Sequence, residues 1–490
     1  MPEIKLLFLT TKADDLHYVG VTRKLVQSTI FLLAALLVYF VLTQKFPISG
    51  DDYAYTYQAT LFASGKLYAR DPLYDLGHPL HGCIATNCIM DYHGHRFSVY
   101  PPGWPALLAV GTALGVPWLV NPLLGAVLCF LILTYIERRM DKKLVNVAWL
   151  LVTSCLFFVF YSASTRNHVA TALFIFAAFL FFDEAEQSPQ RARPWLFVAG
   201  ALLGYSSLIR YIDWIPLGVW IGISLLRRGR VAELVAFAVG FLLLAVGNLL
   251  YDMLLCGNPL TVPAALSGPS TVAGMHAHLA ISPIGFVRTA VRLVNLIWIF
   301  PPVLLLFVFL GRYRPTPKAE MYLALFLMNI GIYFFYPWGN GGPGPRYLLA
   351  YFPFLLLAMV DLYRWICDEK RTRARQLWTL GMITLVIGNL IFTGLEAHTM
   401  YWRRDIERTV QQAEAGKRII FLKTGTYQTR ADDLTRNPPV LSNAENLYLN
   451  WCDQSARDAF LILFPGRKIF VYEYPAHLLP YIPAKNLRTL

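Results

Sequence analysis

The sequence predicts an all-α polytopic membrane protein with about eleven transmembrane helices and a small extracytoplasmic α/β domain at its C-terminus. Three observations carry that expectation. Of 490 residues, 56% are hydrophobic and only 15% are charged, and the mean hydropathy is positive, which excludes an ordinary soluble domain. Apolar runs of roughly 17 to 25 residues, the length that crosses about 30 Å of hydrocarbon, recur along the chain. The basic clusters between those runs fall on one side once the N-terminus is placed inside.

The runs occupy 26–46, 118–137, 144–163, 168–183, 195–210, 212–226, 231–251, 286–310, 319–336, 346–366 and 376–396. The first reads as an anchor, because a polar, Lys-bearing segment precedes it and no small-residue cleavage site follows. Tyr100 to Val116 is short and interrupted by Pro101, Pro102, Gly103 and Pro105, so it is expected to lie at the interface and not to cross. With that assignment the inside loops are 138–143, 190–193, 227–230, 312–318 and 370–375, each rich in Lys or Arg. The excess of 43 Lys and Arg over 30 Asp and Glu, a net charge of +13, is therefore assigned to topology and membrane-lipid contact. No nucleic-acid motif is visible.

The outside face then carries a first loop at 47–100, a middle loop at 252–285, a turn at 337–345 and everything after His398. A transmembrane domain is expected over 1–398 and an extracytoplasmic α/β domain over 399–490. In the latter, Arg418 to Leu422, Leu447 to Leu449 and Lys468 to Tyr474 read as strands and Ala456 to Phe464 as a helix. This unit is either a stabilising cap or a binding site for an acceptor.

Candidate chemistry begins with Asp51 and Asp52, adjacent acids just past the first span. A carboxylate at that depth is costly without a cationic or metal partner, which makes it a candidate functional group; a solvated, helix-capping pair is the plainer alternative. Arg210 and Arg346 fall on the same outer face, where a planar guanidinium can bind phosphate oxygens bidentately and stay charged when poorly hydrated. Each could equally be a snorkelling interface arginine. An outside acid beside such arginines suits a substrate that is part lipid and part water-soluble. Cys83 and Cys88, five apart in the polar first loop, could form a small disulfide in an oxidising compartment. His78, His81 and His93 do not securely complete a metal site with them.

Asp51-Asp52-Tyr53-Ala54-Tyr55 directly after the first span, the helix expected over Ala59 to Gly65, and Tyr100-Pro101-Pro102-Gly103-Trp104-Pro105 resemble the GT-C superfamily of polyprenyl-phosphate-sugar-dependent integral membrane glycosyltransferases. The similarity is to the protein O-mannosyltransferase and aminoarabinose transferase group, and extends in layout to about Ala350. In that superfamily an Asp-Glu pair after the first span carries the catalytic acid; here Asp52 stands in place of the Glu, so the resemblance points to Asp51 as the catalytic carboxylate and to Asp52 second. Arg346-Tyr347 resembles the Arg-Tyr element that opens a late span, and Arg210 an arginine near a mid-chain span.

The resemblance implies inverting transfer of a sugar from a polyprenyl-phosphate donor to an extracytoplasmic glycan, lipid or protein acceptor, in a bacterial inner (plasma) membrane. Arg210, Arg346, Tyr347, Lys66, Arg166 and His168 are the candidates for the lipid phosphate and donor. No cofactor is assigned with certainty; a divalent metal on Asp51 and Asp52 stays an open alternative, though adjacent residues rarely complete its shell. The rival readings are a lipid-linked-sugar flippase, which would show charges at mid-span and internal symmetry, and a non-catalytic subunit of an envelope complex. A soluble nucleotide-sugar transferase is disfavoured, since no glycine-rich phosphate loop is present.

Overall fold

The computed structural model describes residues 15–490 apart from 48, 72–73, 75–83, 85–87, 268–282, 310, 336–344, 369–370, 413–414, 424–435, 452–453, 474–486 and 490. Helix α1 (Asp15–Leu37) continues into a π-helical turn, Val38–Leu42, and stops where Gln44 and Lys45 take left-handed φ values of 48° and 67°. After this reversal comes α2 (Gly50–Ala63), which begins well before the expected Ala59. Its start is set by a capping box: the backbone N–H of Ser49 donates to Asp52 Oδ2 at 3.0 Å. The first loop then folds into an antiparallel sheet of order β1-β3-β2, from Ala69–Arg70, Ile89–Tyr92 and His95–Ser98.

Helix α3 (Gly103–Ala113) has 11 residues, too short to cross. It packs between α2 and α4 (Pro117–Arg139). Gly103 is required there, because a Cβ would lie 2.7 Å from the Leu208 backbone carbon. The expected span at 144–163 is bent by 67° between Lys142–Ser154 and Leu156–Ser162, which carry α5 (Val145–Ser154) and α6 (Leu156–Ser162). Cys155, with non-helical ψ of 81°, makes the break.

Then follow α7 (His168–Gln187), α8 (Ala192–Ile209), α9 (Ile215–Arg227) and α10 (Val231–Cys256). The expected span at 286–310 is likewise divided: α11 (Pro283–Ile299) ends before the Pro301–Val303 turn, and only α12 (Leu304–Val308) follows. Helices α13 (Pro317–Phe334), α14 (Phe352–Asp368, entered through a 3-10 turn over Arg346–Tyr351), α15 (Thr372–Arg403) and α16 (Asp405–Gln411) complete the bundle.

Among the described residues, six helices are long and apolar enough to cross a membrane, or seven if the bent pair is one span. The protein is an integral membrane protein. Of the other expected spans, 212–226 is a short helix and 286–310 an interrupted one, whereas 195–210 and 319–336 are the unbroken 18-residue helices α8 and α13.

Gly200 and Gly204 of α8 let that helix approach α10 closely: a Cβ on Gly204 would lie 2.3 Å from the Phe241 carbonyl oxygen. Gly204→Val is therefore expected to destabilise the protein by about 1–3 kcal/mol, seen as a lower melting temperature in detergent; an unchanged melting temperature would show that the two helices can separate freely.

The basic loops gather at one end of the bundle. Arg139 pairs with Asp183 and Glu184 at 2.8 Å, Lys318 also reaches Asp183 at 2.8 Å, and Arg230 pairs with Glu186 at 2.5 Å. These acids close α7, whereas His168 opens it; its 20 residues, about 30 Å, separate the two ends.

The C-terminal unit has a sheet of order β5-β4-β6-β7, from Arg418–Lys423 (β4), Asn446–Asn450 (β5), Lys468–Glu473 (β6) and Leu487–Thr489 (β7), with α17 (Gln454–Leu463) between β5 and β6. β4 runs parallel to both neighbours, and β7, which the sequence pattern does not announce, adds antiparallel to β6. Helix α15 runs through position 398, where the domain boundary is expected. Ile84 of the first loop is buried with Ile419, Phe421 and Leu447 of the sheet, and Tyr53 donates its hydroxyl to the Asn437 carbonyl.

Candidate active site

The first turn of α2 sends its two acids in different directions, since neighbours on a helix are about 100° apart. Asp52 turns inward. Its oxygens accept from the Thr165 N–H at 3.1 Å and hydroxyl at 2.8 Å, besides Ser49, and it pairs with Arg166 Nε at 3.2 Å. The two side chains are 1% and 0% exposed, so this is an interior ion pair. Asp52 is thus both helix cap and counter-charge.

Asp51 faces a cavity of about 230 Å³ lined also by Tyr100, His168, Arg210, Arg346 and Tyr347. Its Oδ2 is 2.7 Å from Arg346 Nη1, and its Oδ1 accepts from the Tyr100 hydroxyl at 2.6 Å. Burial, then the charge of Asp51, pushes the Tyr100 hydroxyl well above its ordinary pKa, so it remains a donor. The 3-10 turn that opens at Arg346 places this guanidinium at the cavity wall, and its Nε is buried with no hydrogen-bond acceptor among the described residues.

On the adjoining wall Arg210 ends α8 in extended backbone. Its Nε pairs with Asp213 at 2.6 Å, its Nη2 donates to the Tyr333 hydroxyl at 2.6 Å, and its Nη1 donates to His168 Nε2 at 3.0 Å. The guanidinium carbons of Arg210, Arg292 and Arg346 stand 5.3, 5.6 and 5.0 Å from the ring centre of Tyr347. Such an arrangement can hold an anion beside a carboxylate that accepts a proton.

Asp51, Arg210, Arg346, Tyr347 and His168 are therefore together, as the sequence suggests, although Asp51 and Arg346 are 295 positions apart. Arg166 lies behind Asp51, paired with Asp52, and does not line the cavity. Lys66 does not line the cavity: it is exposed beyond the far end of the 14-residue α2, about 20 Å along the helix from Asp51. A metal does not fit the acids, since each faces a guanidinium and they diverge, and no group of three or more His, Cys, Asp or Glu among the described residues could hold one. Cys88 Sγ lies 3.7 Å from Asp51 Oδ1 and 3.6 Å from the Tyr100 hydroxyl oxygen. Cys83, and with it the disulfide expectation, falls outside the described residues.

Tyr100, Asp213, Tyr333 and Arg292 were not anticipated. Arg292, 2% exposed on α11, was signalled by a charge inside an apolar run. Tyr100 stood in the Pro-rich segment but as one aromatic among many.

No family model matches the chain, and no curated protein does. Among the solved structures similar to it, two have TM-scores above 0.5. One is ArnT from Cupriavidus metallidurans bound to undecaprenyl phosphate, with a TM-score of 0.55 at 15% identity, covering 94% of this chain and 96% of that one. The other is the same protein in its apo state, with a TM-score of 0.53 at 15% identity over 91% and 92%. The chain thus shares its overall fold with that protein over nearly the whole of both, and has a GT-C-like fold.

Proposed function

We propose that the protein is a glycosyltransferase that moves a hexosyl or pentosyl group from a polyprenyl-phosphate donor to an extracytoplasmic glycan, lipid or protein acceptor, with inversion. The observation that carries this reading is the Asp51 carboxylate, fixed between the Arg346 guanidinium and the Tyr100 hydroxyl on the wall of a cavity shared with Arg210. The fold likeness to ArnT, solved with undecaprenyl phosphate, supports a lipid phosphate as the anion.

In this reading the donor phosphate lies against Arg346 and Arg210 with its chain in the bilayer. The acceptor O–H or N–H gives its proton to Asp51 as the acceptor atom forms its bond to the anomeric carbon. The carbon–oxygen bond to phosphate breaks on the opposite face, and the leaving phosphate keeps the electron pair, its charge offset by the arginines. Asp52 and Arg166 position the helix that carries the base.

Orientation follows from charge. The basic loops face the cytoplasm, so the cavity and residues 399–490 face outward. The test is mass spectrometry of lipid co-purified with the protein, together with cysteine labelling of the terminal domain in intact cells. A polyprenyl-phosphate species and labelling from outside are expected. Labelling only after the membrane is opened would overturn the orientation, and failure of the reconstituted protein to consume any polyprenyl-phosphate sugar would overturn the reaction.

A further inference from the structure

Another cavity, of about 520 Å³, lies at the end of the bundle that holds Asp51, between the last turns of the first span and the junction of α15 with α16. It shares none of its lining with the cavity of Asp51. Its walls change in chemistry along the span. Leu37 and Val41 of the first span and Ala397 of α15 line its apolar part, and Leu37 and Val41 are 63% and 62% exposed. Gln44, just past the π-helical turn, lines the other part with Arg404 and Arg408.

Aromatic rings mark the depth of that change. Trp118, at the start of α4, packs against Tyr39 and Phe40 of the π-helical turn with ring centres 6.3 and 5.1 Å apart, and Lys45 Nζ stands 5.4 Å from the centre of the Phe40 ring. Trp and Tyr gather where hydrocarbon gives way to headgroups, so the apolar part of the cavity is at acyl-chain depth and the arginines are at phosphate depth. Arg404 and Arg408 are one helical turn apart, the Arg408 N–H donating to the Arg404 carbonyl at 3.0 Å. The opposite side of α16 carries Ile406 and Val410, 4% and 1% exposed, which pack with Ile420, Leu422 and Phe470 of the terminal sheet. Burial of those two side chains against the sheet turns both arginines to the cavity. Glu407, 3.8 Å from Arg404 Nε, offsets part of their charge.

We infer that this cavity binds an anionic glycerophospholipid of the surrounding membrane, with the lipid phosphate on Arg404 and Arg408 and an acyl chain against Leu37 and Val41. The planar fork of arginine donates to phosphate oxygens in pairs and stays charged where water is scarce. Arginines that merely snorkel from a span end need no concave apolar surface beneath them; here the two occur together. The bound lipid bridges the first span and α16, and through Ile406 and Val410 it ties the terminal sheet to the bundle. Its role is to hold the two parts together, apart from the transfer reaction.

The experiment titrates the full chain, stripped of lipid in detergent, with phosphatidylglycerol, with phosphatidylcholine of the same acyl chains and with undecaprenyl phosphate, and follows binding by native mass spectrometry. Phosphatidylglycerol is expected to bind about 5-fold or more tightly than phosphatidylcholine and to raise the melting temperature. Arg404→Gln combined with Arg408→Gln should erase that preference. Val41→Trp fills the apolar part without touching a charge and should weaken both phospholipids; because its position is exposed, it should melt as the wild type does without lipid. Undecaprenyl phosphate should bind every variant as it binds the wild type. Equal affinity of the wild type for the two phospholipids, a preference kept in the double glutamine variant, or unchanged phospholipid binding in Val41→Trp would overturn the site. Weakened undecaprenyl phosphate binding in these variants, with phosphatidylglycerol unaffected, would assign the cavity to that lipid and overturn the proposal as well.

Discussion

Asp51→Asn is expected to lower transfer from a polyprenyl-phosphate sugar by about 10²- to 10⁴-fold, the usual cost of losing a general base. The amide keeps the size of the side chain and an oxygen for Tyr100 to donate to, so the variant should remain folded and bind lipid. Asp52 gives the opposite pattern. Removing its carboxylate in Asp52→Ala strands the buried Arg166 guanidinium, breaks the capping box and costs about 3–5 kcal/mol of stability. The milder Asp52→Asn should retain more transfer than Asp51→Asn. Turnover and melting temperature measured on the same preparations separate the two roles. Normal turnover in Asp51→Asn alongside a dead but stable Asp52→Asn would exchange the assignments, and full activity in both would remove the carboxylate mechanism.

The second large effect is expected at the arginines, where Arg210 is the cleaner probe because it pairs with Asp213 and not with Asp51. Arg210→Ala should weaken undecaprenyl phosphate binding by about 10- to 100-fold, the range of one or two charge-assisted hydrogen bonds. Arg346→Ala should do at least as much, with an added loss of turnover from disturbing the Asp51 ion pair. Lysine at either position should rescue only partly, since it keeps the charge and loses the planar fork. If the double alanine variant inserts normally and binds the lipid as the wild type does, the phosphate role fails.

Much of this site was legible in the sequence because a membrane restricts where charge can stand. Once the basic loops are assigned to one side, Asp51, Arg210 and Arg346 must share the other, whatever their separation along the chain. What did not follow was side-chain direction. Asp51 and Asp52 are indistinguishable by composition, and only the capping of α2 turns one inward and the other to the cavity. Lys66 lies apart from Asp51 because α2 starts at Gly50 and its whole length comes between them. Arg292 shares its run with Arg288, and only the fold shows which of the two turns inward to the cluster. The broken spans have local causes, Pro301 with Pro302 in one case and the turn at Cys155 in the other, and a hydropathy window averages across both.

The cluster around Tyr347 also bears on how the protein survives in the cell. Three guanidinium groups crowd one phenol ring, while the counter-charges described beside them are Asp51 and Asp213. Like charges held this close in a water-poor interior repel one another, and an incoming anion relieves that repulsion. An anionic carrier that binds only the folded form then adds to stability by mass action, about 2.7 kcal/mol at a hundredfold excess over its dissociation constant. On the proposed function, the carrier lipid would double as a folding ligand, and the amount of folded protein would rise and fall with the carrier supply of its membrane.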